Sequence, residues 1–203
     1  MIKNLIFDLA GVLFDLSVEK DTSALASVGL PTYEECLQIP PLLKCLNEYL
    51  NGLTDEPTFL AAIRPYCRPD ATDQEILASM DAVLDDIPVE RLQRLVELRK
   101  KYKVILLSNL YDTAWRITVR TFQEKGYPLE ECFDHTFFSQ HLRLAKPDPR
   151  IYQHVFKVTG IDPSETLYFD DSRDNIQGGN AVGLHSVLVP MNHLEEVPEY
   201  QNL

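Results

Sequence analysis

Four short stretches of this chain place carboxylate, hydroxyl, amide and ammonium groups where chemistry could be done. In Phe7-Asp8-Leu9-Ala10-Gly11-Val12, an apolar run ends in a carboxylate and is followed by a small-residue turn that lets a ligand approach the backbone. Leu107-Ser108-Asn109 offers a hydroxyl and an amide able to hold a phosphate. Lys146-Pro147-Asp148-Pro149 presents a movable point charge on a loop stiffened by prolines. Tyr168-Phe169-Asp170-Asp171-Ser172-Arg173-Asp174-Asn175 sets two carboxylates side by side after another apolar run. Adjacent carboxylates repel, so a cation between them is a natural expectation. Each stretch also has an ordinary reading as a turn, a cap or a solvated charge, and Asp174 suits a helix N-terminus.

The elements needed to gather these groups are legible. Five short runs rich in β-branched and aromatic residues predict strands at Lys3–Asp8, Val104–Ser108, Phe133–Phe138, Leu167–Asp170 and Ser186–Val189. Helical patterns separate the later ones. One is capped by Asp112 and runs to about Lys125 before Gly126; Arg150–Thr159 closes at Gly160, and Asn175–Val182 closes at Gly183. Alternating strands and helices imply an α/β fold, a three-layer Rossmann-like parallel five-stranded sheet that binds ligands at the carboxyl ends of its strands.

Residues 15–86 break that rhythm with helix signals alone. Thr72-x-x-Glu75 is a capping box, Thr54 with Asp55 and Glu56 marks another helix start, and Leu42–Leu50 has helical spacing. Pro88 opens a further amphipathic helix through Leu92, Leu95, Val96 and Leu98. The expected organisation is a core of residues 1–14 and 87–203 with a helical cap of residues 15–86. The polar tail after Pro190 is expected to be loosely held.

With 203 residues the chain can bury a full core without disulfides or a structural metal. Nineteen Lys and Arg against thirty-one Asp and Glu leave a net charge of −12, which argues against nucleic acid and anionic membrane as partners. No apolar stretch approaches the ~20 residues of a membrane span. Cys36, Cys45, Cys67 and Cys132 lack metal or redox spacing and read as reduced thiols in a cytoplasmic protein. Trp115, Tyr152 and Phe156 read as packing residues. Arg64 and Arg68 read as a solvated face or a reach toward substrate, and none of the histidines shares a motif. If the sheet gathers Asp8, Asp170 and Asp171, about three negative charges meet one Lys146. A phosphate dianion could then enter only with a hard cation, for which an oxygen ligand set selects Mg²⁺.

Taken together and in this order, the four motifs resemble the haloacid dehalogenase-like (HAD) superfamily, in the group with a helical cap after the first motif. The resemblance spans almost the whole chain and is strongest to small sugar-phosphate phosphatases and the phosphatase domain of epoxide hydrolases. It implies that Asp8 attacks phosphorus to give an aspartyl-phosphate. Ser108, Asn109 and Lys146 would hold the phosphate, and Lys146 would also offset the nucleophile's charge. Asp8, Asp170, Asp171 and the Ala10 carbonyl would hold Mg²⁺, with Asn175 in support. The chain departs from the pattern at Ala10, where most phosphatases of the superfamily carry a second Asp as general acid and base. That exchange leaves two other readings open: a metal-independent 2-haloacid dehalogenase, and a weakly active or non-catalytic binding protein.

Overall fold

A computed structural model describes residues 1–203 of the chain, with side chains for all but Tyr33. Strands β1 (Asn4–Phe7), β2 (Lys103–Ser108), β3 (His135–Phe138), β4 (Thr166–Asp170) and β5 (His185–Leu188) form one sheet in the order β3-β2-β1-β4-β5. Every pairing is parallel. The predicted strands are all present, with ends shifted by at most two residues.

The alternation of side chains along each strand builds two cores. Leu5, Phe7, Val104, Leu106 and Phe169 face one layer, and Ile6, Ile105, Leu107, Phe137 and Tyr168 face the other. Both faces are covered, which is why these strands read as continuous apolar runs. Between β1 and β2 the chain forms α1 (Val18–Ser27), α2 (Tyr33–Cys36), α3 (Pro40–Leu50), α4 (Glu56–Ile63) and α5 (Asp73–Asp81), with no strand among the described residues. The Thr72–Glu75 capping box closes reciprocally at the start of α5, and the side chain of Asp55, not Thr54, caps α4.

The remaining helices are α6 (Val89–Leu98), α7 (Asp112–Glu124), α8 (Leu129–Cys132), α9 (Ser139–Leu142), α10 (Pro149–Thr159), α11 (Arg173–Ala181) and α12 (Pro198–Gln201). Leu92, Leu95 and Leu98 of α6 join the first core, and Ile151, Tyr152 and Val155 of α10 join the second.

Three expectations need correction. Asp112 does not cap α7; Tyr111 holds the cap position, and Asp112 opens the helix, where its charge meets the positive end of the dipole. α11 starts at Arg173 rather than Asn175, because Ser172 accepts from the Asn175 N–H and caps it two residues earlier. The tail is not loose. Leu194, Val197 and Tyr200 are buried, and the Tyr200 ring stands edge-on to the stacked pair Phe7 and Phe169. Each such apolar side chain contributes about 1.5–3 kcal/mol on full burial, enough to hold a polar segment in place.

The tail also reaches the two linkers that enter and leave the helical insertion. These linkers pair antiparallel, with Asp15 N–H donating to Asp86 O, Asp85 N–H to Asp15 O and Ser17 N–H to Val83 O. The Asn192 carboxamide accepts from Leu16 N–H at 2.9 Å and donates to Leu16 O at 2.8 Å. Beside it the buried Arg91 guanidinium donates to Asp15, Glu195, Leu13 O and Asn192 O. Arg64 and Arg68, by contrast, are tied within the insertion, to Asp73 and Ala71 O and to Asp70, Glu75 and Ser27 O respectively.

Candidate active site at the strand ends

The strand order reverses direction between β1 and β4, so the crevice expected in an open parallel sheet lies at their carboxyl ends. Phe7 pairs with Phe169, which sets Asp8 beside Asp170. The Asp8 N–H donates to Phe169 O, and the following loop folds back tightly, with Leu13 and Phe14 N–H both donating to Leu9 O. Gly11 sits at φ +77°, and a Cβ there would lie 2.4 Å from Asp171 Oδ2. Only glycine lets the Asp8 loop and the Asp171 carboxylate approach so closely.

Lys146 lies at the centre. Its side chain is fully buried, with Nζ 2.8 Å from Asp8 Oδ1, 2.7 Å from Asp170 Oδ2 and 2.9 Å from Leu107 O. The two carboxylates it touches are not equivalent. Asp170 is saturated: Oδ1 accepts from Ser172 N–H and Asn175 Nδ2, and Oδ2 accepts from Lys146 and the Tyr168 hydroxyl. Asp8 Oδ1 is buried and faces Lys146 off-axis, without a hydrogen bond of good direction. Asp171 makes no ion pair among the described residues.

Burial pushes the Asp8 carboxyl up to about 7; Lys146 pulls it down, while the Asp170 and Asp171 charges push it further up. Burial and the Asp170 charge likewise raise Asp171 to about 6, against a smaller pull from Lys146. Oxygen atoms of Asp8, Asp170 and Asp171 lie within 4.8 Å of one another. Three carboxylates against one ammonium and an all-oxygen donor set fit a hard divalent cation. Asp8 and Asp171 offer the free oxygens, while Asp170 supplies charge and holds Lys146.

Ser108 is buried at the end of β2, and its hydroxyl donates to Asn109 O at 3.3 Å. The Asn109 carboxamide is engaged on both sides, accepting from Lys146 N–H and donating to Lys146 O and Asn51 Oδ1. Its side chain therefore fastens the lysine loop. Asn175 supports Asp170 directly, and its own carbonyl accepts from the buried Tyr152 hydroxyl. Two contributors escaped the sequence reading. Tyr168 lies two residues before Asp170 on the same strand, and period-two spacing alone could have flagged it. Asn51 comes from the helical insertion, and no sequence signal joins it to Asn109.

Comparison with known proteins shows the family of the chain. The haloacid dehalogenase-like hydrolase family matches residues 2–183. The chain belongs to that family. It is 29% identical over 188 residues to a D-ribitol-5-phosphate phosphatase of Bacteroides thetaiotaomicron, covering 92% of this chain and 91% of that one. It is 28% identical to a phosphatase of Mycobacterium tuberculosis, over 93% of this chain and 87% of the relative. A crystal structure of a HAD family enzyme from Bacteroides thetaiotaomicron, in complex with magnesium and inorganic phosphate, superimposes with a TM-score of 0.84. That pair shares 32% identity, over 95% of this chain and 96% of the other. The chain is thus a HAD-like hydrolase, and no helix among the described residues is long and apolar enough to cross a membrane.

Proposed function

We propose that this hydrolase is a magnesium-dependent phosphomonoesterase acting on a small phosphorylated metabolite of the sugar phosphate class. The observation that carries the reading is the overcharged cluster at the strand ends: Asp8 held by one buried lysine, with Asp170 and Asp171 beside it. Asp8 and Asp171 would hold Mg²⁺. Bound there, the ion would offset the carboxylate charge that otherwise repels a phosphate and would stabilise charge on the phosphoryl oxygens. The phosphatase relatives and the magnesium–phosphate complex of a similar structure support the assignment.

In the first step an Asp8 oxygen attacks phosphorus as the bond to the leaving oxygen breaks, giving an aspartyl-phosphate. Lys146 and Ser108 steady the transferring phosphoryl oxygens. Water then attacks phosphorus, releasing inorganic phosphate and regenerating the Asp8 carboxylate. The helical cap of residues 15–86 would exclude bulk water during the first step. Ala10 offers no proton, so the leaving oxygen must take one from solvent or depart unprotonated. The missing general acid costs typically ~10²–10⁴ in rate, most for poor leaving groups. Anomeric and acyl phosphates are therefore expected to turn over faster than primary alkyl phosphates. The four free thiols fit a reducing, cytoplasmic setting.

The test is phosphate release from acyl, aryl, anomeric and primary sugar-alcohol phosphates, with and without Mg²⁺, beside the Asp8→Asn variant. Magnesium-dependent release lost in the variant is the expected result. No release from any compound with Mg²⁺ present would overturn the reading.

A further inference from the structure

The helical insertion reaches the lysine loop through the Asn109 carboxamide, and this contact has a direction built into it. Asn51 follows the last residue of α3. Its backbone N–H donates to Asn47 O at 3.1 Å, and its Nδ2 donates to the same carbonyl at 2.7 Å. With Nδ2 tied back to α3, Oδ1 is the atom presented outward, and it accepts from Asn109 Nδ2 at 2.6 Å. Asn109 in turn clasps one residue from both sides, accepting from Lys146 N–H at 2.8 Å and donating to Lys146 O at 2.9 Å. Gly52 completes the seat. At φ +66° a Cβ would lie 2.3 Å from Leu110 O and 2.6 Å from Gln140 Cβ, so the turn rests flush on the core with no room for a side chain.

We propose that Asn51 is a positioning residue: through Asn109 it registers the docked helical insertion on the backbone of Lys146, whose ammonium sits between Asp8 and Asp170. This rests on the phosphatase reading for its consequence in rate, though not for the contact itself. When the insertion lifts, Asn109 loses one of its two acceptors, and the loop presenting Lys146 is less firmly held. When it docks, the loop stiffens and the ammonium is fixed against the nucleophile. Misplacing a catalytic group by ~1 Å can cost about 10²-fold in rate, so a loosened clasp acts on kcat. Asn51 is not required to touch substrate, and KM should respond little.

The experiment combines turnover with hydrogen exchange in the full chain. Asn51→Leu keeps the size of the side chain and removes its acceptor; Asn51→Ala serves as a second variant should leucine disturb the α3 turn. At saturating Mg²⁺ and substrate, loss of the acceptor should lower kcat about tenfold and change KM less than about threefold. In an Asn109→Ala background the same change should add nothing, because the link is already cut. Without substrate, exchange of the Lys146 backbone N–H should accelerate several-fold in the Asn51 variants. Unchanged Lys146 protection overturns the proposal, as does an effect on KM alone or effects that multiply in the double variant. A wild-type chain that releases no phosphate would instead overturn the phosphatase reading, and the exchange measurement would still decide the coupling.

Discussion

Two buried cations organise this molecule, and they differ in how completely their surroundings answer them. Arg91 donates to two carboxylates and two carbonyls from all three of its nitrogens, and its partners Asp15 and Glu195 reach solvent. Burial alone would raise the Glu195 carboxyl, but the hydrogen bond and charge of Arg91 overcome it and leave the group below its ordinary range. That network is closed, and it joins the first linker, α6 and the tail. Lys146 instead faces three carboxylates as a single charge, with Asp8 and Asp171 both raised and one Asp8 oxygen left without a directed hydrogen bond. A balanced buried network holds a structure together. An unbalanced one leaves charge for a ligand or a proton to neutralise, and so marks a site.

The sharpest way to break the contrast is to remove each cation. Lys146→Met should lower magnesium-dependent turnover by about 10²–10³-fold, since it deletes a preorganised positive charge at the phosphoryl group. Arg91→Met should leave kcat within a few-fold while lowering unfolding stability by on the order of 2 kcal/mol, because two buried carbonyls lose their donor. Steady-state kinetics and denaturant unfolding of both variants would check this. If Arg91→Met abolished turnover in the folded protein, the division between structural and reactive networks would fall.

Ala10→Asp sharpens the same comparison by adding a carboxylate two residues after Asp8. Turnover of poor leaving groups should rise by about tenfold or more as a general acid becomes available. The metal-free protein should at the same time become less stable, because its charge imbalance grows. Kinetics on a primary alkyl phosphate and an unfolding curve in chelator separate the two effects.

A smaller effect lies in pH. Asp8 and Asp171 are raised in the folded protein to about 7 and about 6, above their ordinary 3.8. From about pH 4 to 7 the folded state therefore binds more protons than the unfolded chain. Their contribution to the stability of the metal-free protein falls as pH rises through that window. Glu195 works with the opposite sign: lowered in the fold, its contribution is present above its unfolded value of 4.5 and is lost as pH falls further. Melting temperatures in chelator should decline from pH 5 to 7, and Asp171→Asn should flatten that decline. An unchanged slope in the variant would remove Asp171 from the account.

Much of the core site was legible because a parallel sheet converts sequence into position. A strand that ends in Asp8 or Asp170 must deliver that residue to one edge, and the pattern of alternating strands and helices says which edge. Distances between side chains were not legible. Asp170 and Asp171 are equivalent in sequence, yet Ser172, Asn175 and Tyr168 saturate only the first, and that depends on the turn into α11. Asn109 carries phosphate-binding chemistry by type, but its neighbours enlist its side chain as a fastener. The tail misled for a related reason: three apolar side chains spaced through Leu194, Val197 and Tyr200 are too sparse to show a periodic signal, yet each finds a buried place.

Within this unbalanced cluster Asp8 is expected to become covalently phosphorylated. Acid-quenching the protein during turnover of an acyl phosphate with Mg²⁺ and weighing the peptide that contains Asp8 would detect it. Because Ala10 cannot activate water for the second step, the intermediate should accumulate. The peptide should then carry the added mass of one phosphoryl group, absent in Asp8→Asn and absent in chelator. Turnover that proceeds at full rate in Asp8→Asn, or a phosphoryl group found on another residue, would contradict the account.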